Sequence, residues 1–88
     1  MVRALFFTGG RCSACKRMYP SVKQLLKEGY KVEEKDADEN KDLATKYQVT
    51  SLPTFIILRG EIEVKRFVGI TPIASLRDAL KDPDYHIW

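Results

Sequence analysis

A short apolar segment, VRALFFT, occupies residues Val2–Thr8 and ends at a pair of glycines. Its length and its content of Val, Leu and Phe are typical of a strand that is buried on both faces. With 88 residues, the chain is long enough for one compact domain and too short for two. A single hydrophobic core must therefore bury this strand.

The segments that follow the strand predict a β-α-β unit. Between residues 13 and 28, apolar side chains recur at helical spacing, and Gly29 is suited to ending a helix. These apolar side chains are Met18, Val22, Leu25 and Leu26. Residues 30–36 alternate as a strand does, so a right-handed crossover makes the two strands parallel.

A short helix and a hairpin come next. The residues that supply capping and acidic groups for the short helix, which ends near residue 47, are Asp38, Glu39 and Asn40. Residues 54–58 and 61–67 are rich in Ile, Phe and Val and are separated by Arg59 and Gly60, which predicts two antiparallel strands.

The last predicted element is a helix. Thr71 is suited to capping it, Pro72 to its first position, and its apolar face continues to residue 81. The predicted order is βαβαββα, an α/β domain with four strands in a mixed central sheet and three helices. This domain spans residues 1–81, and residues 82–88, DPDYHIW, form a C-terminal tail.

Composition argues against several classes of protein. Fifteen basic side chains face 12 acidic ones, for a net charge of +3, and both are spread along the chain. A nucleic-acid surface needs a concentrated basic stripe with interleaved aromatic side chains, and the sequence has none. No apolar run approaches the roughly 18 residues of a membrane span. We therefore expect a monomer with no nucleic-acid or membrane partner.

The sequence also predicts a cytoplasmic location. The first strand begins at Val2, which leaves no room for a basic start, an apolar stretch and a cleavage site. In a reducing cytosol a single structural disulfide would not persist, and secreted disulfide scaffolds normally contain more than two cysteines. The two cysteines of this chain are therefore expected to serve chemistry.

These cysteines, Cys12 and Cys15, lie two residues apart where the first strand gives way to the first helix. Thiol–disulfide exchange needs a thiolate that attacks and a second thiol that breaks the mixed disulfide. At the first helical position, Cys12 should be exposed and stabilised as a thiolate, which makes it the predicted nucleophile. Cys15, one turn deeper on the same face, is the predicted resolving thiol. Arg11 and Lys16 should lower the pKa of Cys12.

A metal site and a redox-inert role remain the alternatives for this pair. Structural zinc takes four ligands, and one C-x-x-C supplies two, so a zinc site could close only across a dimer. The sole histidine, His86, lies in the predicted tail, where we expect it to face solvent. A zinc-bridged or redox-inert interaction module is therefore the competing class, and we expect no metal.

Three stretches of the chain, from residue 2 to about residue 81, resemble the thioredoxin family without its usual first strand and helix. They are CSACKRMYP, DADENKDLATKYQVTSLPTF and GEIEVKRFVGI. The resemblance implies a thioredoxin-like fold and an enzyme that reduces protein disulfides and has no bound cofactor. Its partners would be oxidised proteins and an electron donor, either a reductase or a small thiol.

The resemblance also assigns a substrate groove. Pro53 corresponds to the family's cis-proline, which faces the cysteines and leaves the backbone of Leu52 to pair with a bound peptide. Val68 and Gly69 would complete a shallow apolar rim. These four residues are the predicted substrate-binding set.

The chain departs from the family at several of these positions. Arg11 replaces the usual tryptophan, Ser13 and Ala14 replace Gly-Pro, and Phe6 stands where the family has a buried aspartate. Cys15 must then lose its proton to water or to another group. A glutathione-dependent, glutaredoxin-like enzyme is the alternative within the same class, although the segment around Val68 does not match the one that grips glutathione.

Overall fold

The computed structural model describes residues 1–81, and the predicted tail with His86 lies outside the described residues. The strands are β1 (Val2–Thr8), β2 (Val32–Asp36), β3 (Thr54–Arg59) and β4 (Ile62–Val68), and the helices are α1 (Ser13–Lys27), α2 (Lys41–Lys46) and α3 (Ile73–Lys81). The predicted order βαβαββα is confirmed. Among residues 1–81, no helix is both long and apolar enough to cross a membrane.

The four strands form one mixed sheet, as predicted, and lie side by side in the order β2-β1-β3-β4. β1 is parallel to β2, with Thr8 opposite Asp36. It is antiparallel to β3, with Phe7 opposite Thr54, and β4 pairs antiparallel with β3, with Val68 opposite Thr54. The end of β1, the end of β2, the start of β3 and the end of β4 consequently meet at one edge of the sheet.

The core is divided between the two faces of the sheet. On one face, α1 and α3 cover alternate residues of β1 and β3, namely Ala4, Phe6, Phe55 and Ile57. On the other face, α2 and the segment after it cover the intervening residues, namely Leu5, Phe7, Ile56 and Leu58. Complete burial of one large apolar side chain contributes about 1.5–3 kcal/mol, so both layers contribute to holding β1 in place.

Helix α1 presents a narrower apolar stripe than the sequence predicts. Met18, Val22 and Leu25 are buried with Cys15, but Leu26 is 49% exposed. Successive helical residues differ in direction by about 100°, so Leu26 points away from the sheet when Leu25 points toward it. Leu26 therefore lies outside the buried stripe of α1.

Of the two predicted helix caps, the one at Asn40 is correct in position only, and the one at Thr71 is wrong. Asn40 is the N-cap residue of α2, but its side chain makes no capping bond. It instead donates a hydrogen bond of 2.9 Å to the carbonyl of Asp36 at the end of β2. The Thr71 hydroxyl donates to the Gly69 carbonyl at 3.0 Å. Helix α3 begins at Ile73, after Pro72, because the Pro72 carbonyl accepts its first backbone bonds.

A bidentate ion pair joins α1 to α3. The Arg77 guanidinium donates to both carboxylate oxygens of Glu28, at 2.7 and 2.8 Å, and the Gln24 amide donates to one of them at 2.8 Å. These hydrogen bonds, that of Arg77 first, lower the pKa of Glu28 from 4.5 to about 2. Folding therefore stabilises the ionised form of the Glu28 carboxyl group relative to its protonated form.

We predict that this pair makes stability depend on acidity. Its contribution should be fully present above pH 4.5 and should be lost as the pH falls toward about 2, because the folded-state pKa is the depressed one. Urea unfolding of wild type and Glu28→Gln across this range should show a stability difference that shrinks with acid. Arg77→Gln should behave alike, and the double variant should add little to either change. A difference that is constant with pH would contradict the prediction.

Candidate active site

The two cysteines form a disulfide at the start of α1, with their Cα atoms 5.2 Å apart. Cys12 is the N-cap residue and not the first helical residue as predicted, because its extended backbone (φ −98°, ψ 100°) turns the chain into the helix. The Cys15 backbone N–H donates to the Cys12 sulfur at 3.0 Å. The Cys12 sulfur thus satisfies one of the unpaired donors of the helix N-terminus.

Burial differs sharply between the two sulfurs. Cys15 is 0% exposed and belongs to the core beneath α1, whereas Cys12 is only partly buried and packs against that core from its edge. Only the Cys12 end of the disulfide can therefore be approached from outside without disturbing the core. A two-cysteine exchange mechanism requires this arrangement, in which one sulfur is accessible and the other is protected.

The loop before β3 lies at the same edge of the sheet. The peptide bond between Leu52 and Pro53 is cis. The Pro53 carbonyl accepts a hydrogen bond from the Gly69 N–H at 2.7 Å, and Gly69 has a φ of +88°, which a residue with a Cβ adopts at a cost. Val68 and Ile70 on either side of Gly69 are 60% and 56% exposed. The structure thus joins Pro53 to Gly69 and leaves exposed apolar side chains beside them.

A cleft of about 530 Å³ opens beside the disulfide. Its walls are formed by Gly9, Gly10, Arg11, Cys12, Asp36, Asp38, Glu39 and Leu52. Of the predicted site residues, Arg11, Cys12 and Leu52 are therefore brought together here. Lys16 is exposed in the first turn of α1, and its backbone N–H donates to the Cys12 carbonyl at 3.3 Å.

The acidic wall of this cleft is absent from the predicted site. The sequence pattern predicts that Asp38 and Glu39 begin a helix, but their backbone N–H groups both donate to an Asp36 carboxylate oxygen, at 2.8 and 3.2 Å. This turn follows β2 directly and faces Cys12. The parallel pairing of β1 and β2 could have indicated it, because the carboxyl ends of parallel strands share one edge of a sheet.

Phe6 lies beneath the disulfide on the face of the sheet that α1 covers. It is 0% exposed and stacks on Phe55, with ring centroids 4.7 Å apart, and the Tyr19 ring contacts it edge-on at 5.8 Å. This position contains no carboxylate to accept a proton from Cys15. Within residues 1–81, no three side chains of His, Cys, Asp or Glu are grouped as a metal site would require.

Comparison with known proteins identifies the family. Residues 4–82 match the family model described as Thioredoxin. The chain belongs to the thioredoxin family. A thioredoxin from Echinococcus granulosus is 35% identical over 72 residues, which cover 80% of this chain and 66% of that protein. A bifunctional thioredoxin reductase/thioredoxin from Mycobacterium leprae is 35% identical over 74 residues, which cover 81% of this chain and 16% of that protein.

Solved thioredoxin structures share the fold. The crystal structure of a thioredoxin from Trypanosoma brucei brucei superposes with a TM-score of 0.85 at 29% identity, covering 97% of this chain and 76% of that one. The predicted thioredoxin-like fold is therefore confirmed. The chain spans less than two thirds of the length of the two curated thioredoxin relatives described above.

We predict that Gly9 keeps the cleft open. A Cβ at Gly9 would lie 2.9 Å from Leu52 Cδ1, whereas a Cβ at Gly10 would meet nothing within 4 Å. In Gly9→Ala the added methyl should displace the Leu52 side chain and fill part of the cleft. Labelling of Cys12 in the reduced protein by a bulky maleimide should then slow severalfold, while labelling by the smaller iodoacetamide should not change.

Gly10→Ala is the matched control for this experiment and should leave both labelling rates unchanged. Because the atom met by the new Cβ is the end of a flexible side chain, Gly9→Ala should change the free energy of unfolding by only about 1 kcal/mol. If both reagents label Cys12 more slowly, and to the same extent in Gly9→Ala and Gly10→Ala, a specific role for Gly9 is contradicted.

Proposed function

We propose that this protein is a thiol–disulfide oxidoreductase that reduces protein disulfides through the Cys12–Cys15 couple. The observation that carries the proposal is the disulfide at the N-cap of α1, with one sulfur partly exposed and the other fully buried. Membership of the thioredoxin family supports it. The chemistry follows from how the two sulfurs are placed.

In the proposed reaction, the Cys12 thiolate attacks one sulfur of a substrate disulfide. A bond forms between Cys12 and that sulfur, and the other substrate sulfur leaves as a thiolate and takes up a proton. Cys15 then loses its proton and attacks the Cys12 sulfur, which closes the Cys12–Cys15 disulfide and releases the second substrate thiolate. Two electrons have passed from the protein to its substrate.

The helix start favours the first of these steps. A thiolate on Cys12 would accept the Cys15 N–H bond and lie at the positive end of the α1 dipole, both of which lower the pKa of a thiol. Arg11 at the cleft and Lys16 in the first turn would lower this pKa further, whereas the acidic wall across the cleft would act in the opposite direction. We propose that these two cations tune the pKa of Cys12.

We propose that the substrate binds along the cis-proline loop. The Pro53 carbonyl is already bonded to Gly69, so hydrogen bonding to an extended peptide falls to the backbone of Leu52. The Leu52 side chain lines the cleft beside Cys12, and Val68 offers an exposed apolar surface next to Gly69. Together these residues would hold a peptide segment on either side of the substrate cysteine.

The electron donor is proposed to be a separate protein or a small thiol, with no bound cofactor. The name of the Mycobacterium leprae relative joins a thioredoxin reductase to a thioredoxin in one protein, which supports a reductase as the donor. A reducing cytoplasm and a monomeric state fit this cycle. Recycling by a thioredoxin reductase, and not by glutathione, would separate this function from that of a glutaredoxin-like enzyme.

We predict that Cys15→Ser converts the protein into a trap. Attack by Cys12 should survive while resolution is lost, so the variant should accumulate a mixed disulfide with an oxidised model protein that the wild type reduces. Nonreducing electrophoresis and mass spectrometry would detect this species. If no mixed disulfide forms, the two-step mechanism fails.

Cys12→Ser is the matched control and should neither reduce the model protein nor trap it. Brief alkylation of the reduced wild type at neutral pH should label Cys12 ahead of Cys15, because only Cys12 is accessible. Faster labelling of Cys15 would reverse the proposed roles.

A further inference from the structure

Two hydroxyl groups meet at the end of β1, on the side of the sheet covered by α1. Thr8, the last residue of β1, is 2% exposed, and its Oγ1 lies 3.3 Å from the Tyr19 hydroxyl. Side chains alternate along a strand, so Thr8 shares its face with Ala4 and Phe6. These two residues belong to the same core cluster as Cys15, which places the hydroxyl pair on the Cys15 side of the sheet.

Tyr19 occupies a position from which it can reach Cys15. It follows Cys15 by four residues on α1, and residues at this spacing are neighbours on one helical face. Helical side chains lean toward the N-terminus, a direction that carries the Tyr19 side chain toward the turn that contains Cys15. Tyr19 also packs against the core cluster to which Cys15 belongs. Its edge-on contact with Phe6 and its bond to Thr8 hold the ring between helix and sheet.

The proposed function needs a stabilising group at this place. Cys15 is fully buried, and burial in apolar surroundings disfavours a thiolate. Phe6 beneath it can neither accept a proton nor donate a hydrogen bond. Among the partly buried hydrophobic residues that pack against this cluster, Cys12, Tyr19 and Tyr30 carry an ionisable side chain. The neighbouring cleft adds Arg11 and three carboxylates, those of Asp36, Asp38 and Glu39.

We propose that Tyr19 is a catalytic residue of the resolving step and that Thr8 positions it. A hydroxyl carries a single hydrogen. If Thr8 donates to the Tyr19 oxygen, the Tyr19 hydrogen is available for the Cys15 sulfur in the reduced protein. This hydrogen bond stabilises the Cys15 thiolate in the absence of a carboxylate beneath it. The inference rests on the proposed function and deepens it.

The atoms of this step balance without a further reactant. The Cys15 proton passes to solvent water, and Tyr19 keeps its own proton while it donates a hydrogen bond to the sulfur. The Cys15 thiolate then attacks Cys12, the bond between Cys12 and the substrate sulfur breaks, and the substrate leaves as a thiolate. Tyr19 next releases the sulfur, which is now part of the Cys12–Cys15 disulfide.

The test separates the two steps of the reaction in Tyr19→Phe, which removes one oxygen atom and keeps the ring. Reduced protein is mixed rapidly with an aromatic disulfide that releases one coloured thiolate on attack by Cys12 and a second on resolution by Cys15. We expect an unchanged first release. Loss of the hydrogen bond should raise the pKa of the Cys15 thiol, which should reduce the thiolate population about tenfold near neutral pH.

The pH profile distinguishes this role from a structural one. A thiol of higher pKa is also more nucleophilic once ionised, so the net slowing of the second release near neutral pH should be about threefold. The profiles of wild type and variant should meet or cross at alkaline pH. Slowing of both releases, or slowing that is equal at every pH, would overturn the proposal, as would a second release identical to that of wild type.

Further variants test the role of Thr8 and the specificity of Tyr19. Thr8→Val keeps the shape and removes the hydroxyl, so it should shift the pH profile in the same direction, and Thr8→Ser should restore it. An unchanged profile in Thr8→Val would remove the positioning role. Tyr30→Phe, at a second tyrosine packed against the same cluster beyond the end of α1, should match wild type.

Failure of the proposed function gives a different result from failure of this inference. If wild type releases only one coloured thiolate, the Cys12–Cys15 couple does not resolve a mixed disulfide, and the function itself is wrong. If wild type releases two and Tyr19→Phe matches it at all pH values, the function stands and the role of Tyr19 is lost.

Discussion

The confinement of β1 on all sides is the constraint on which the rest of the structure depends. The strand is hydrogen-bonded to β2 on one edge and to β3 on the other, and helices cover both of its faces. Shifting it by one residue would exchange its two buried faces, so its register is strongly specified. The position at which β1 ends is therefore fixed, and with it the turn that leads into Cys12.

That fixed end assembles the site from parts distant in sequence. Pairing with β2 brings the acidic turn that starts at Asp36 to the end of β1, and pairing with β3 brings Thr54 there with the adjoining cis Leu52–Pro53 bond. The Gly69 N–H then bonds to the loop before β3 at 2.7 Å. A single sheet edge thus carries the partly exposed sulfur, the cleft beside it and the cis-proline loop, while α1 buries the second sulfur.

The charges around Cys12 illustrate how tertiary structure changes a local interpretation. Along the chain, its neighbours are cations, Arg11 and Lys16, and these alone would favour a thiolate. In the folded protein, a wall of three carboxylates lies across the cleft, from Asp36 to Glu39. The hydrogen bond from the Cys15 backbone N–H, in contrast, acts on the Cys12 sulfur directly at 3.0 Å.

The sequence by itself determined the element order, the mixed sheet, the strand buried on both faces and the placement of the cysteine pair at a helix start, because periodicity and glycine positions are local signals. It could not determine the capping bonds of α2 and α3. The Asn40 and Thr71 side chains donate to nearby backbone carbonyls instead of accepting from the N–H groups of the helices. Nor could the sequence reveal the acidic wall or the bond between Thr8 and Tyr19. These depend on strand register and on how α1 lies over β1, and only the packed tertiary structure decides such long-range geometry.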